Sequence, residues 1–142
     1  MGLSIKILNY NSNVCKCFIN SEVKKSISEN DKYNNITDLR VAIVDDKLSI
    51  SWHDCLNACW KKNTITRSTT NVPINTFDGD LIKVTDIKNE NKVNALIDST
   101  IEVDKLYCYR IFTEFENSKK IYSGLKNIFF LYVYNEGDNK NE

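Results

Sequence analysis

Apolar and polar residues alternate with a period of two through most of the chain that follows Ile36. In the run ITDLRVAIV the apolar face begins at Leu39, and in LSISW it includes Ile50. Because consecutive side chains of a strand point to opposite faces, such runs predict short strands with one buried side. About seven of them recur between turn signals such as Asp-Gly, and no long helical period interrupts them. This spacing predicts an all-β fold, an antiparallel β-sandwich over residues 36–134.

The strand within the segment IEVDKLYCYRIF begins at a tyrosine. Its alternation places Tyr107, Tyr109 and Ile111 on one face. Aromatic rings fill the space between two sheets well, and a tyrosine at the entry of a strand can reach a backbone group with its hydroxyl. We therefore expect a core that draws on both sheets. Its predicted members are Trp52, Tyr107, Tyr109, Ile111, Leu39 and Ile50.

The last predicted strand, IFFLYVY from Ile128 to Tyr134, is apolar on both faces. A strand of a solvated sandwich alternates apolar with polar residues, so an apolar outer face predicts a cover. Three possibilities stay open, which are cover by residues 1–19, cover by a partner subunit, and an exposed aromatic surface. The residues that this strand offers as a candidate interface are Phe129, Phe130, Leu131 and Tyr132.

Residues 1–35 form a predicted N-terminal extension that lacks the recurring strand pattern. The runs SIKIL and VCKCFI flank the turn-rich NYNSN and predict a possible hairpin. The polar stretch 20–35 is expected to be a linker or a short helix, because Val23 and Ile27 stand four positions apart. The extension is a candidate anchoring segment, and residues 135–142 are expected to form a flexible tail.

Composition and charge narrow the classes of partner. The 142 residues carry 19 basic and 19 acidic side chains, so the formal net charge is +0. Phosphate recognition needs a basic patch, and this balance argues against nucleic acid as the main ligand. The opening MGLSIKILNYNSN lacks the apolar stretch of a signal peptide, and no run is long enough for membrane insertion. The cysteines, an odd number without an export signal, are expected to be reduced thiols in the cytosol.

His53, Cys55 and Cys59 stand close together and are residue types that bind zinc. A structural zinc site needs further ligands, and no second cysteine or histidine pair supplies them, so we expect no metal. A thiol beside His53 is the one arrangement that suggests an enzyme, a cysteine hydrolase. A single histidine leaves few routes for general acid–base catalysis, and the acidic pairs fall in predicted turns. We expect no catalytic residues and no cofactor.

The order of these features resembles the fibronectin type III fold. Trp52 ends a strand as the core tryptophan of the second strand does in that family. Ile101 precedes Tyr107 by six positions, as the apolar residue of the family's tyrosine corner does. The pair Asp104-Lys105 stands where the family usually has Gly-Thr. The resemblance implies a fibronectin type III-like, immunoglobulin-like sandwich in which Trp52 and Tyr107 share the core.

A narrower resemblance, from Trp60 to Phe112, is to the fibronectin-like modules of bacteriophage tail and tail-fibre proteins. Those modules often have an arginine that ends a strand, then a proline and Asp-Gly, an aspartate before the corner, and Tyr-x-Tyr-Arg. The matching residues here are Arg67, Pro73, Asp78, Gly79, Asp98, Tyr107, Tyr109 and Arg110.

This resemblance implies a non-enzymatic structural or interaction module of a phage or of a phage-derived contractile particle. Such a component lies at the baseplate, the tail fibre or the tail surface, in several copies among other tail or virion proteins, and assembles in the host cytoplasm. One alternative is a module that binds carbohydrate or a host surface through loop aromatics, and another is a capsid decoration protein. The candidate ligand-facing aromatics are Trp60 and Phe77.

Overall fold

The computed structural model describes residues 2–30, 36–54, 60–86, 93–115 and 121–139. In these ranges the chain forms one α-helix and nine strands, which are arranged in two antiparallel sheets that face each other as a β-sandwich. The sandwich class agrees with the prediction from the two-residue alternation. The elements are β1 (Leu3–Leu8), α1 (Ser21–Asn30), β2 (Ile36–Val44), β3 (Lys47–Asp54), β4 (Trp60–Ser68), β5 (Asp80–Asp86), β6 (Val93–Asp98), β7 (Lys105–Phe115), β8 (Ile121–Tyr122) and β9 (Ile128–Asn135).

The two sheets differ in size. The larger sheet has the order β1-β9-β7-β4-β5, and the short β8 pairs with the C-terminal part of β7. The smaller sheet has the order β2-β3-β6. Consecutive hairpins build each sheet only in part, because β4 pairs with β7 and β3 pairs with β6 across long intervals of sequence. The strand order is therefore a tertiary property, which no local pattern determines.

The main core lies between the two sheets. Trp52 of β3 is fully buried, and so are Tyr109 and Ile111 of β7. The ring of Tyr109 stacks on the ring of Phe129 at a centroid distance of 4.9 Å. Leu39 packs against this core but is only partly buried. The buried members are Ile36, Leu48, Ile50, Trp52, Ile65, Leu96, Ile101, Tyr107, Tyr109, Ile111, Phe129, Leu131 and Val133.

Tyr107 fastens the loop that precedes its own strand. Its ring is buried, and its hydroxyl accepts a hydrogen bond of 2.9 Å from the backbone N–H of Glu102. Asp104, between the two, has a φ of +61° and donates its N–H to the carbonyl of Val133 at 2.7 Å. Aspartate adopts this left-handed conformation more readily than most residues with a side chain. The turn therefore forms without glycine, and the tyrosine hydroxyl satisfies a backbone donor inside it.

The predicted hairpin within the N-terminal extension is wrong. β1 pairs instead with β9, with Leu8 opposite Phe130. The expected return strand is a 3₁₀ turn, Cys15–Phe18. Because positions three apart share a face in a 3₁₀ turn, Cys15 and Phe18 are both buried. The open edge of β9 satisfies the backbone of β1, and that partner is more than a hundred residues away in the sequence.

The polar stretch 20–35 contains a helix, which was one of its two predicted forms. The side-chain oxygen of Asn20 caps α1 by accepting the N–H of Val23 at 2.9 Å. Val23 and Ile27 lie one turn apart and are both buried, as their spacing predicts. Neither α1 nor any other helix of the described ranges has the length and apolar character of a membrane span. Residues 31–35 lie outside the described residues.

In the N-terminal segment, residues 2–30, the part that follows β1 covers the outer face of the larger sheet. Phe130 and Cys108 of that face pack with Phe18 and Val23 in a second apolar cluster. The ring of Phe18 meets the ring of Phe130 edge-on at a centroid distance of 5.6 Å. Of the three possibilities for this face, the structure has cover by the chain itself. The cover extends beyond residue 19, because α1 supplies part of it.

The candidate interface on β9 is therefore not a free surface. Phe129 and Leu131 lie in the main core, Phe130 lies under the N-terminal segment, and all three are buried. Tyr132 is half-buried, and its hydroxyl donates to Asp104 at 3.1 Å. Both faces of this strand are apolar because each contacts a separate apolar layer of the same chain.

The last strand extends one residue into the predicted tail of residues 135–142. Asn135 belongs to β9, and Glu136–Asn139 form a 3₁₀ turn. The N–H of Glu136 donates to the carbonyl of Gly2 at 3.1 Å, so the pairing of the two chain ends continues past the strands. Residues 140–142 lie outside the described residues.

Candidate functional site

Phe77 is the most exposed large apolar side chain among the described residues. It is 94% exposed and lies in the loop of residues 69–79, which connects β4 to β5. Single exposed apolar residues are common on proteins, so exposure alone indicates little. The way in which the loop is held makes this ring unusual.

The loop that carries Phe77 is fixed by its own side chains. One carboxylate oxygen of Asp78 accepts from the side-chain amide of Asn71 and from the N–H of Ile74, each at 3.0 Å. The side-chain oxygen of Asn75 accepts the N–H of Phe77 at 2.9 Å. Such bonds from Asn and Asp side chains to nearby backbone define a loop conformation in place of regular structure. The backbone that carries the ring is thus set in the unbound protein.

The loop is also tied to the layers beneath it. The N–H of Val72 donates to the carbonyl of Phe18 in the N-terminal segment at 2.9 Å. The guanidinium of Arg110 on β7 donates to the carbonyl of Pro73 at 2.8 Å. Val72 itself is fully buried in the second apolar cluster. The loop therefore rests on a packed base at Val72 and Pro73, while Thr69, Thr70, Asn75 and Phe77 are exposed.

The predicted Asp-Gly turn closes this loop. Gly79 has a φ of +84°, and a Cβ at this position would collide with the carbonyl oxygen of Arg67. Only glycine combines this conformation with so close an approach of two backbones. The turn signal in the sequence thus marks a loop that is anchored at its end on β4.

A cleft of about 160 Å³ opens beside Phe77, on the outer face of the larger sheet, and we name it the Phe77 cleft. Its walls combine aromatic rings, hydroxyl groups and a pair of opposite charges. A single chain segment does not build it, because its residues come from β4, β7, the loop and Ile121 of β8. The side chains that define its chemistry are Phe77, Phe112, Thr64, Thr76, Lys62 and Glu114.

Lys62 and Glu114 are register partners on β4 and β7. The Nζ of Lys62 lies 3.2 Å from Oε2 of Glu114, and the side chains are 37% and 25% exposed. The ammonium is close enough for an ion pair but is not oriented for a hydrogen bond, so the shielded Oε2 has no hydrogen-bond partner among the described residues. A partly exposed pair adds about 1 kcal/mol or less to stability. The ion pair between Lys62 and Glu114 thus contributes little to the stability of the fold.

A second polar group, at the edge of the sandwich, has a structural role. Oδ2 of Asp98 accepts from Nη1 of Arg67 at 2.9 Å and from the hydroxyl of Tyr109 at 2.6 Å. Oδ1 of Asp98 accepts the N–H and the hydroxyl of Thr100 at 2.9 and 2.6 Å. Arg67 also reaches Asp80 at 3.2 Å. Each oxygen of the buried carboxylate therefore accepts two hydrogen bonds. A buried charge needs such partners to offset the cost of removing it from water.

The residues of the narrower resemblance meet in and around this group. The guanidinium of Arg67 lies 4.7 Å from the ring centre of Tyr107, in a cation–π contact. Pro73 and Gly79 contact Arg110 and Arg67 through backbone atoms. The motif therefore joins β4, β6, β7 and the loop, and it explains the fold of these segments rather than a reaction.

Electrostatics at Asp98 follow from these contacts. Burial on its own would raise the pKa of this carboxyl, but hydrogen bonds from Thr100 and Tyr109 and the charge of Arg67 outweigh it and lower the pKa below its ordinary value. Burial, together with the bond to the Asp98 carboxylate, raises the pKa of Tyr109 well above its usual range. Tyr109 is thus a permanent donor and Asp98 a permanent anion at neutral pH.

We expect Asp98→Asn to remove stability that depends on pH. A carboxyl whose pKa is lower in the folded state stabilises the fold above its unfolded pKa of about 4, and this contribution is lost as the pH falls through the folded value. The variant should lose about 3 kcal/mol of unfolding free energy at pH 7, because it leaves Arg67 without its buried partner. The difference should shrink at pH 2.5, as measured by urea denaturation. Asp45→Asn, in an exposed turn, is the control, and an equal loss at both pH values would contradict the assignment.

The described residues that we considered for metal binding or catalysis do not form a common site. They pair with single neighbours on the surface or accept hydrogen bonds from backbone N–H groups. His53 lies on β3, and its Nε2 is 3.5 Å from a carboxylate oxygen of Asp38 on the exposed surface. Asp46 accepts the N–H of Leu3 at 2.9 Å. No group of three or more potential metal ligands is found in the described ranges. Cys55 and Cys59 lie outside the described residues.

Two of the described thiols are buried. Cys15 and Cys108 belong to the second apolar cluster, and burial raises the pKa of both. A thiol with a raised pKa is protonated at neutral pH and is a poor nucleophile. Cys17 is exposed, and its thiol lies 3.2 Å from the carbonyl of Val14. The buried pair therefore acts as apolar packing.

Of the two predicted ligand-facing aromatics, Phe77 is at the site, whereas the side chain of Trp60 lies outside the described residues. Sequence reasoning missed Lys62 and Glu114, since their neighbourhood depends on the pairing of β4 with β7. The one available signal was polar alternation, which places both on the solvent side of their strands. Compared with protein-family models, with curated proteins and with solved structures, the chain gives no match to any of the three.

Proposed function

We propose that this protein is a non-enzymatic recognition module, a fibronectin type III-like sandwich carried on a phage or phage-derived contractile tail particle. The observation that carries the recognition role is the display of Phe77 at 94% exposure on a loop fixed by hydrogen bonds. A ligand that covers the ring gains its apolar area without the entropic cost of ordering the loop. Rigid aromatic anchors of this kind dominate the energetics of binding surfaces.

The sandwich type is supported by the strand order. If β1 and β8 are set aside, seven strands remain, and the first, second and fifth form one sheet while the others form the second. In the immunoglobulin fold the first, second and fifth strands likewise share one sheet and the third, sixth and seventh share the other, and fibronectin type III domains have the same sandwich architecture. The hydrogen bond from the N–H of Glu102 to the hydroxyl of Tyr107 has the form of a tyrosine corner. Strand order and corner agree with the resemblance in the sequence.

The assignment to a tail particle is supported by the residues of the narrower resemblance, because Arg67, Asp98 and Tyr107 act together in this fold. In this proposal the protein lies at a baseplate, fibre or tail surface among other virion proteins. The N-terminal segment and β9 are occupied within the chain, so they are poor anchors. The Phe77 side of the sandwich faces outward and meets the target.

The test is to purify particles from the producing host by density-gradient centrifugation and to locate the protein on them by immunogold microscopy. We expect labelling on the tail and not on the head. Particles that carry Phe77→Ala should retain the protein but adsorb more slowly to their target cells. Val44→Ala, which shortens another exposed side chain on β2, is the matched control. Absence of the protein from all particle fractions would refute the assignment.

A further inference from the structure

We propose that the Phe77 cleft binds one pyranose unit of a neutral saccharide. This inference deepens the proposed function, since it rests on the Phe77 surface being the recognition surface and names the chemistry of the target. It depends on three properties of the cleft, which are an aromatic platform, a fixed pair of polar groups and a small, uncharged space.

Phe77 provides the platform. The face of an aromatic ring carries partial negative charge, and it attracts the polarised C–H groups on the apolar face of a sugar ring. The ring of Phe77 is almost wholly in water, so one complete face is available. Peptide ligands favour pockets that enclose a side chain, whereas an open ring beside a shallow cleft suits a flat ligand.

The ion pair provides directional polar contacts. Lys62 supplies N–H donors, and Glu114 supplies an acceptor, at the wall of the same cleft. The Glu114 side chain is 25% exposed, and its shielded Oε2 accepts no hydrogen bond from the described residues. A donor and an acceptor held side by side match two neighbouring hydroxyl groups of a sugar. One hydroxyl accepts from Lys62, and its neighbour donates to Glu114. The hydroxyls of Thr64 and Thr76 add groups that can do either.

The size and charge of the cleft favour a saccharide over other ligands. Its volume, about 160 Å³, is below the range of pockets that enclose drug-sized molecules and suits one small polar unit. Lys62 and Glu114 cancel each other, so the cleft has no excess charge to attract a phosphate or a carboxylate. A ligand with one apolar face and several hydroxyl groups is the chemistry that uses every wall.

The experiment is to screen the full chain on a printed array of oligosaccharides built from neutral hexoses and N-acetylhexosamines. The highest-ranked oligosaccharide is then titrated by calorimetry against the wild type and four variants. We expect Phe77→Ala and Glu114→Gln each to weaken binding by about tenfold or more, and Phe77→Tyr to retain it, because the platform is kept. Val44→Ala should bind as the wild type does. Circular dichroism on each variant checks that the chain stays folded, and light scattering checks that its oligomeric state is unchanged.

The results separate the two proposals. An array without binding, or binding that Phe77→Ala leaves intact, overturns the saccharide site. A self-association that Phe77→Ala abolishes would also overturn it, because the ring would then serve a second copy of the chain. Each of these three results leaves the particle assignment standing if immunogold labels the tail. Failure of that labelling refutes the particle assignment whatever the array shows.

Discussion

Arg110→Ala is expected to lower the free energy of unfolding by at least about 3 kcal/mol, more than an ordinary surface substitution. Arg110 is fully buried on β7 at the junction of three segments. It donates to the hydroxyl of Ser26 on α1 at 2.9 Å, to the carbonyl of Pro73 at 2.8 Å, and to both oxygens of Ser123. Its loss would remove a charged donor from the buried carbonyls of Pro73 and Ser123.

No carboxylate of the described residues lies within ion-pair distance of Arg110. Burial therefore lowers the pKa of its guanidinium to about 10, which still leaves it charged at neutral pH. The guanidinium also lies 4.8 Å from the ring centre of Phe112, a wall of the Phe77 cleft. Arg110 thus fastens α1 and the loop of residues 69–79 to the larger sheet.

The regions that lose protection in Arg110→Ala distinguish local fastening by Arg110 from general destabilisation of the fold. Hydrogen exchange in Arg110→Ala should accelerate most in α1 and in residues 69–79, with β2 and β3 less affected. Arg40→Ala is the matched control, because Arg40 is an exposed arginine on β2 with a single ion pair to Asp38. A surface pair of that kind contributes little, so its removal should change stability by less than about 1 kcal/mol. Uniform acceleration of hydrogen exchange across both sheets would contradict the proposal that Arg110 holds α1 and residues 69–79 to the larger sheet.

Removal of residues 2–30 is expected to produce a chain that aggregates. The deletion uncovers Phe130 and Cys108 on the outer face of the larger sheet and opens the backbone edge of β9. A contiguous exposed apolar face and an unpaired edge strand both promote association. Size-exclusion chromatography with light scattering measures the outcome.

Two full-length variants sharpen this test. Val23→Asp places a charge in the fully buried position of α1 and should release the cover without shortening the chain. Val14→Ser alters an exposed residue of the same segment and should stay monodisperse. If the truncated chain remained monodisperse and as stable as the intact one, the N-terminal segment would not be part of the fold.

Several structural features were predictable because their causes are local. The alternation in LSISW and IEVDKLYCYRIF fixes which side chains of β3 and β7 share a face, and it identified Trp52, Tyr107 and Tyr109 as core. The spacing of Val23 and Ile27 predicted one buried face of a helix. Each of these statements concerns side chains within a few positions of one another, where backbone geometry sets direction.

The hairpin prediction failed for the opposite reason. The run SIKIL is a strand, but its partner is β9, and the hydrogen bonds that stabilise it come from the far end of the chain. VCKCFI has the composition of a strand, yet it buries Cys15 and Phe18 better as a 3₁₀ turn against Phe130. Tertiary packing overrides local β propensity in short segments of this kind.

By itself, the sequence determined that this chain is a two-layered sandwich with aromatic rings at its centre, because period-two alternation is a property of neighbouring residues. Only the tertiary structure decided that the part of the N-terminal segment after β1 forms a third layer and that Lys62 meets Glu114 beside Phe77. Those contacts join residues that are far apart in the chain, and their geometry arises only when the strands have paired.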